Sequence, residues 1–419
     1  MTRGSVALVL GVAVLGAPRG VDACGGCFAP PETVQVVTDH RMVMAIHADE
    51  AILWDQIQYT GRPQDFAWIL PVRGDIRVEI ASGFFFDTLD QLTAPQVQPP
   101  VVVCPSAGSR GGLFSAAGTA AEDSRTGGVQ VLRTEVVGPY QTVTLRSSDA
   151  GALTTWLREN SYTIPPAIEP VVRAYTELSM DFVALRLRPG EGVQSMRPVR
   201  VRYPGANTVL PLRMVAAGVA DKVGIKLWVF GEGRYEAMNF PNATIPPGAL
   251  VWDFATRRSN YLDVFNSTVR ALGGRAWVTE AAEPARALEG AFENAFGDPT
   301  MMADRIAARE DFDLAVRSLR QPTVSRLRAD LAAVNLDRDL QLQASSGAPT
   351  VSRFLQATRS VNRTPCPTDD GLYSGTDASR AGRGFECDAV AGGSPRGVAG
   401  GLLGLLAAGL LARRRARRG

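Results

Sequence analysis

The residues best equipped for chemistry cluster near the start of the chain. Cys24, Cys27, His40 and His47 follow the spacing Cys-x2-Cys-x12-His-x6-His, and these are the only two histidines in 419 residues. Thiolate and imidazole are what a tetrahedral zinc site takes, and Cys2His2 spacings run close to this one. The last interval is longer than usual, and His40 and His47 are expected in a turn and a strand, not on one helical face. A redox dithiol is a second reading. It needs its CxxC at the head of a helix that follows a strand. Here Gly25-Gly26 separates the cysteines, and nothing before them reads as that strand. The third reading is structural: in an oxidising compartment Cys24, Cys27, Cys104 and Cys366 form disulfides of open connectivity. Zinc is thus the one cofactor candidate, and the structural reading is the plainer one.

Other catalytic sets lack parts. The chain has no Gly-x-Ser-x-Gly elbow, no His-Glu-x-x-His helix, and no Walker or dinucleotide glycine pattern. Neither histidine has a serine signal beside it. Asp49, Glu50, Asp55 and Asp65 can be imagined as a glycosidase pair, but acids in surface turns explain them more simply. No residue is assigned a catalytic role.

The elements that must position these residues begin as an antiparallel meander. Strands are expected over 33–37, 42–47, 51–59 and 65–72, with turns at 38–41 and 48–50. A Phe-rich helix follows over 83–92. Residues 105–128 read as a loop. A hairpin spans 129–137 and 140–145 across Gly138-Pro139. Ser148 or Asp149 caps a helix to Asn160, and a second helix covers 167–178. Strands are expected over 182–187, 199–203, 209–215 and 226–230. From Ser259 the pattern turns helical, over 261–272, 284–296, 301–308, 312–319 and 325–333. Strands that do not alternate regularly with helices indicate α+β: a β-rich N-terminal and central part with inserted helices, then a helical C-terminal part. Ile69-Leu70-Pro71-Val72-Arg73 is echoed by Val209-Leu210-Pro211-Leu212-Arg213.

Both ends read as targeting segments. Arg3, an apolar run over 6–17 and a polar stretch over 18–23 have the form of a signal peptide, and cleavage after Ala23 leaves Cys24 first. Asp22 argues against a lipidation box at Cys24. Residues 398–412 are uninterruptedly apolar and lead into Arg413, Arg414, Arg415, Arg417 and Arg418. At ~1.5 Å per residue this run covers roughly 22 Å of a hydrocarbon core about 30 Å thick. Flanking arginines that reach the interfaces make up part of the deficit. The expected division is a signal peptide over 1–23, an exported α+β ectodomain over 24–357 with a subdomain boundary near 258, a disordered stalk over 358–397, and a membrane or sorting helix over 398–419. The membrane holds the C-terminus, and the ectodomain lies in the envelope or at the cell surface.

The formal charge of +2 comes from the two ends. Setting aside 1–23 and 388–419 removes eight of 44 basic and two of 42 acidic residues, leaving 36 and 40, a net of −4. That balance, with no basic run interleaved with aromatics, gives no reason to expect a nucleic-acid partner. A partner protein or an envelope polymer is expected instead.

Two resemblances add to this. Cys24-Gly25-Gly26-Cys27-Phe28, Thr38-Asp39-His40-Arg41 and Trp68-Ile69-Leu70-Pro71-Val72 occur in that order, followed by Trp156-Leu157 with Tyr162, Pro165-Pro166, and Val209-Leu210-Pro211-Leu212-Arg213. Together they resemble a bacterial family catalogued as domain of unknown function 2330, over roughly 24–357. The resemblance implies an exported or envelope domain with no assigned activity, so no functional residue is carried over. Cys387, a Gly/Ser/Pro-containing spacer, a Gly/Ala/Leu helix and the arginine cluster look like the C-terminal sorting tag of myxobacterial surface proteins. That likeness implies a tail handled by sorting or processing machinery, with attachment through Cys387.

Overall fold

The computed structural model describes residues 27–28, 39–56, 66–100, 131–162, 169–216, 219, 221–293, 301–347 and 349–362. They belong to one compact unit, Met1–Thr364; the other, Pro365–Gly419, lies outside the described residues. Also outside them lie the expected signal peptide, the strand over 33–37, the loop over 105–128, the sorting tail, and the stalk from residue 363. No helix among the described residues is long and apolar enough to cross a membrane.

Two sheets, with strands numbered in chain order, carry the fold. The five-stranded sheet is antiparallel, in the order β1 (Cys27–Phe28), β4 (Ala67–Val72), β9 (Asp181–Leu187), β8 (Tyr140–Leu145) and β7 (Val131–Val137). The eight-stranded sheet runs β14 (Asn242–Ala243), β17 (Trp277–Pro284), β18 (Pro322–Ala332), β12 (Lys222–Glu232), β2 (Asp39–Ile46), β3 (Glu50–Asp55), β10 (Val199–Pro204) and β5 (Arg77–Ile80). Small sheets join β11 (Val209–Leu210), β19 (Leu340–Ala344) and β13 (Tyr235–Ala237); β16 (Arg258–Ser259), β15 (Val251–Asp253) and β21 (Arg359–Val361); and β20 (Phe354–Gln356) with β6 (Gln96–Gln98).

Alternation along the strands explains the layering. Met42, Met44 and Leu53 of the large sheet meet Trp68, Leu70 and Val183 of the small one in a shared core. The intervening residues Val43, Ala45, Ile52 and Trp54 face the opposite way. There they pack under α1 (Gly83–Thr93), α6 (Glu289–Glu293) and α7 (Met302–Val316). Ala67, Ile69 and Phe182 of the small sheet likewise face α2 (Ala150–Glu159) and α3 (Glu169–Glu177). The result is four layers: helix, sheet, sheet, helix. Strands covered on both faces read as continuous apolar runs, and all six residues of β4 are buried. In the hairpin between β7 and β8, Gly138 has φ +56, and a Cβ there meets Ile80 Cδ1 at 2.7 Å, so the turn requires glycine.

The mixed α+β class holds, with corrections in the second half. Residues 325–333 are not helical: β18 is a central strand, antiparallel to β12 from Lys222↔Ala332 to Glu232↔Pro322. Its Arg326-Leu327-Arg328-Ala329-Asp330-Leu331 alternates with period two, its charged face being neutralised by Glu280, Asp90 and Lys222. The helices expected over 301–308 and 312–319 are one helix, α7. Residues 277–284 form a strand before a short helical turn, and 209–215 is a two-residue strand followed by α4 (Leu212–Val215). Asp39, His40 and Arg41 lie in β2, not in a turn, because they pair with Gly224, Ile225 and Lys226 far along the chain. No boundary falls at 258, since β17 and β18 share a sheet with β2 and β3. The folded part also runs past 357 into β21.

One side chain ties α7 to this scaffold. Asp311, fully buried, accepts hydrogen bonds from Trp54 Nε1 at 2.7 Å, Ser82 N at 2.8 Å and Arg200 Nη1 at 2.8 Å. Three elements thus converge on one carboxylate. Burial pushes that carboxyl up from its ordinary range, against the pull of its donors. Asp311→Ala is expected to cost about 3–5 kcal/mol, because it leaves Arg200 and two N–H groups short of an acceptor. Asp311→Asn, which retains one acceptor, costs less. Urea unfolding midpoints of the two variants check the order.

Candidate functional site

The four residues singled out by type are not all brought together. His40 lies near the start of β2 and His47 directly follows its end; seven positions apart, they lie on opposite sides of the sheet. His40 is buried in the core between the sheets, with Nε2 2.6 Å from Asp55 Oδ1. Its Nδ1 has no partner among the described groups. It borders a cavity of about 20 Å³ lined by Trp68, Pro211 and Met214, room for roughly one water. Cys27 stands in β1, opposite Trp68. Cys24, Cys104, Cys366 and Cys387 lie outside the described residues. Among the described residues no group of three or more His, Cys, Asp or Glu is arranged to hold a metal.

His47 lies on the helix-covered side, beside a buried carboxylate. Glu50 accepts Arg202 Nε at 2.8 Å, Arg202 Nη2 at 3.1 Å and Arg317 Nη2 at 2.6 Å. Of the other acids weighed in the sequence, Asp55 is spent on His40, and Asp65 is outside the described residues. Glu50 and Asp55 are buried and partnered, so a surface-turn reading fails for both, and so does a free carboxylate pair.

The geometry directs attention to a cleft where the two sheets end. It has a volume of about 370 Å³, within the range of small-ligand pockets. Its floor centres on Asp339. That carboxylate takes Tyr175 OH at 2.5 Å, the Arg213 backbone N–H at 3.2 Å, Arg213 Nε at 3.3 Å and Arg213 Nη2 at 2.9 Å. The Arg213 guanidinium lies 4.4 Å from the Tyr175 ring centroid, a cation–π arrangement. Asn239 donates to the Asp339 carbonyl at 2.7 Å and accepts the Gln341 N–H at 2.9 Å. Burial, and then the adjacent Asp339 charge, hold the Tyr175 hydroxyl far above its ordinary range.

That floor is saturated. Asp339 accepts four donations, Arg213 is neutralised, and Tyr175 keeps its proton. These three side chains, as paired, hold no spare base or nucleophile. Around it the rim is exposed: Leu178 is 47% and Val209 40% accessible, with Arg73, Asp337 and Arg338 beside them. Met238, 61% accessible, is joined to the cleft residue Gln341 by a backbone bond of 2.7 Å.

The sequence does not single out Tyr175, Asn239 or Asp339, and it offers Arg213 only as part of the echoed segment. A signal for part of the cleft was nevertheless present. The two echoed segments converge there, with Pro71 and Arg73 from one and Val209, Pro211 and Arg213 from the other. They share a place and not a conformation, since one is a sheet strand and the other a two-residue strand leading into α4.

Comparison with known proteins gives a family and little more. A bacterial family described as "Uncharacterized protein conserved in bacteria (DUF2330)" matches residues 19–306. No curated protein matches. A solved structure titled as a mutated baculovirus P35 after caspase cleavage, at 3.1 Å, is 12% identical. The match covers 49% of this chain and 70% of that one, with a TM-score of 0.24, too slight a likeness to bear on fold or function.

His47 provides a pH test of the burial just described. Burial first, and the Arg317 charge second, lower its pKa from 6.5 to about 4. The unfolded chain therefore takes up this proton first. The stability contribution is full above pH 6.5 and is lost as pH falls from 6.5 towards 4. Between pH 7 and 5 the loss from this group is about 2 kcal/mol. Urea unfolding at both pH values is expected to show that loss in the wild type and a smaller one in His47→Leu.

Proposed function

We propose that this chain, which belongs to the bacterial family of uncharacterised proteins whose match spans residues 19–306, is an exported, non-catalytic module that binds an extended segment of a partner protein in the Asp339 cleft. Export rests on the signal-like segment over 1–23. Retention at the envelope rests on the apolar run over 398–412 and its arginines, with Cys387 as the point of processing. The reading needs no cofactor.

One observation carries it: the exposed apolar side chains Leu178 and Val209 border a floor whose charges already neutralise one another. Exposed Leu178, Val209 and Met238 suit the apolar side chains of a peptide. Asn239, Gln341 and Asn207 offer amide groups at the same cleft for its backbone. A saturated Asp339–Arg213–Tyr175 set favours holding over turnover. An envelope polymer is the competing occupant, and protease treatment separates the two.

The test uses the full chain, purified after export, and envelope fractions from a bacterium that carries it. Wild type is expected to bind, and digestion of the fraction with protease is expected to abolish binding. Leu178→Asp and Val209→Asp should each weaken binding about tenfold, the scale of a desolvated apolar anchor. Binding that survives protease, or that neither variant affects, counts against a protein partner in this cleft.

A further inference from the structure

A second cavity, away from the Asp339 cleft, has a volume of about 390 Å³ and is lined by Arg286, Arg320, Gln321, Thr323 and Thr350, among others. We propose that it binds a phosphoryl group, through the guanidinium groups of Arg286 and Arg320.

This chain generally pairs its partly buried arginines with acids. Arg146, Arg317, Arg328 and Arg353 each leave one buried nitrogen without a partner among the described residues, yet each also holds a carboxylate. Arg286 has a buried Nε with no partner among the described residues, and its one bond is from Nη2 to the Arg320 carbonyl at 3.2 Å. No carboxylate pairs with it among those residues. Burying part of a guanidinium without a counter-charge is costly, so the arrangement calls for an anion from outside. Arg320, exposed, lines the same cavity, and no carboxylate pairs with its side chain among the described residues.

The neighbouring acids are engaged elsewhere. Glu232 caps the turn, accepting the backbone N–H of Arg320 at 2.6 Å and of Gln321 at 3.1 Å. Glu283, next to the lining residue Pro284, accepts the Arg353 N–H at 3.0 Å and pairs with its guanidinium at 3.5 Å. Among the described residues the two cavity arginines therefore outweigh Glu232 by one charge. Gln321 supplies an amide, and Thr323 and Thr350 supply hydroxyls at the same cavity. Guanidinium forks match phosphate oxygens, and several converging donors suit a tetrahedral oxyanion better than a carboxylate. The volume exceeds that of one phosphate ion, which leaves room for the molecule that bears it.

Calorimetry of the full chain with inorganic phosphate tests the chemistry. Recruitment to phosphatidylcholine vesicles with and without phosphatidylglycerol distinguishes the source, the apolar tail being present in every arm. Phosphate binding that weakens about tenfold in both Arg286→Gln and Arg320→Gln is the expected result. Phosphatidylglycerol-dependent recruitment that both variants lose assigns the group to a lipid headgroup. Binding of inorganic phosphate alone, lost in the same variants, assigns it to a soluble or terminal phosphate. Arg320 is exposed, so its variant reports on binding even if Arg286→Gln folds poorly, which thermal unfolding shows. A chain that binds neither probe, or variants that bind as wild type does, overturns the proposal. Because this cavity and the Asp339 cleft are lined by different residues, each can fail without the other.

Discussion

A sheet covered on both faces leaves its polar side chains no water, and this constraint organises the molecule. Every charge that enters the layered region must find its partner inside the protein. Arg200 reaches Glu79 and Asp311, Arg202 reaches Glu50, and Arg326 reaches Glu280 and Asp90. Glu280 stands where the register between β17 and β18 shifts, between Thr279 and Ala281. That irregularity aims one extra side chain at Arg326 without disturbing the alternation on either side. Trp228 completes the cluster, donating to Thr93 and lying under the Arg326 guanidinium. These pairs span strands and helices distant in sequence, so they select one arrangement of layers as well as neutralising charge.

The same constraint decides what could be read from the sequence. Local signals sufficed where a partner lies nearby. The hairpin across Gly138-Pro139, the cap at Asp149 and the helix over 261–271 follow from turn chemistry, capping and periodicity. Elements defined by distant partners were misread. Arg326 and Arg328 look like the polar face of a helix until Glu280 supplies a counter-charge from another strand. Asp39-His40-Arg41 looks like a turn because its strand partner is β12. Asp311 falls in the gap between the helices expected over 301–308 and 312–319, because nothing nearby in sequence announces Trp54, Ser82 and Arg200 as its donors.

The site was legible to a smaller degree, and for a related reason. Rarity drew attention to the two histidines, yet His40 is committed to Asp55 and His47 is buried beside Arg317. The cleft residues Tyr175, Arg213, Asn239 and Asp339 are of common types, scattered over four elements or loops, and acquire meaning only when the ends of both sheets bring them together. A cleft made from ordinary residues leaves little trace in a single sequence. The proline-containing echo was the exception, because both of its copies reach the same cleft.

The parallel pairing of β2 with β12 bears on how the chain is made. Asp39 lies opposite Gly224 and Ala45 opposite Phe230, about 185 residues apart in each case. The outer partner of β12 is β18, which ends at Ala332. A chain that emerges N-terminus first must therefore hold β2 and β3 as an unsatisfied hairpin until the strand that completes them has appeared. Such non-local closure makes folding slow and leaves an open strand edge in the interim. Under the export proposed above, this delay would be useful: a chain whose central strands close late stays extensible during passage.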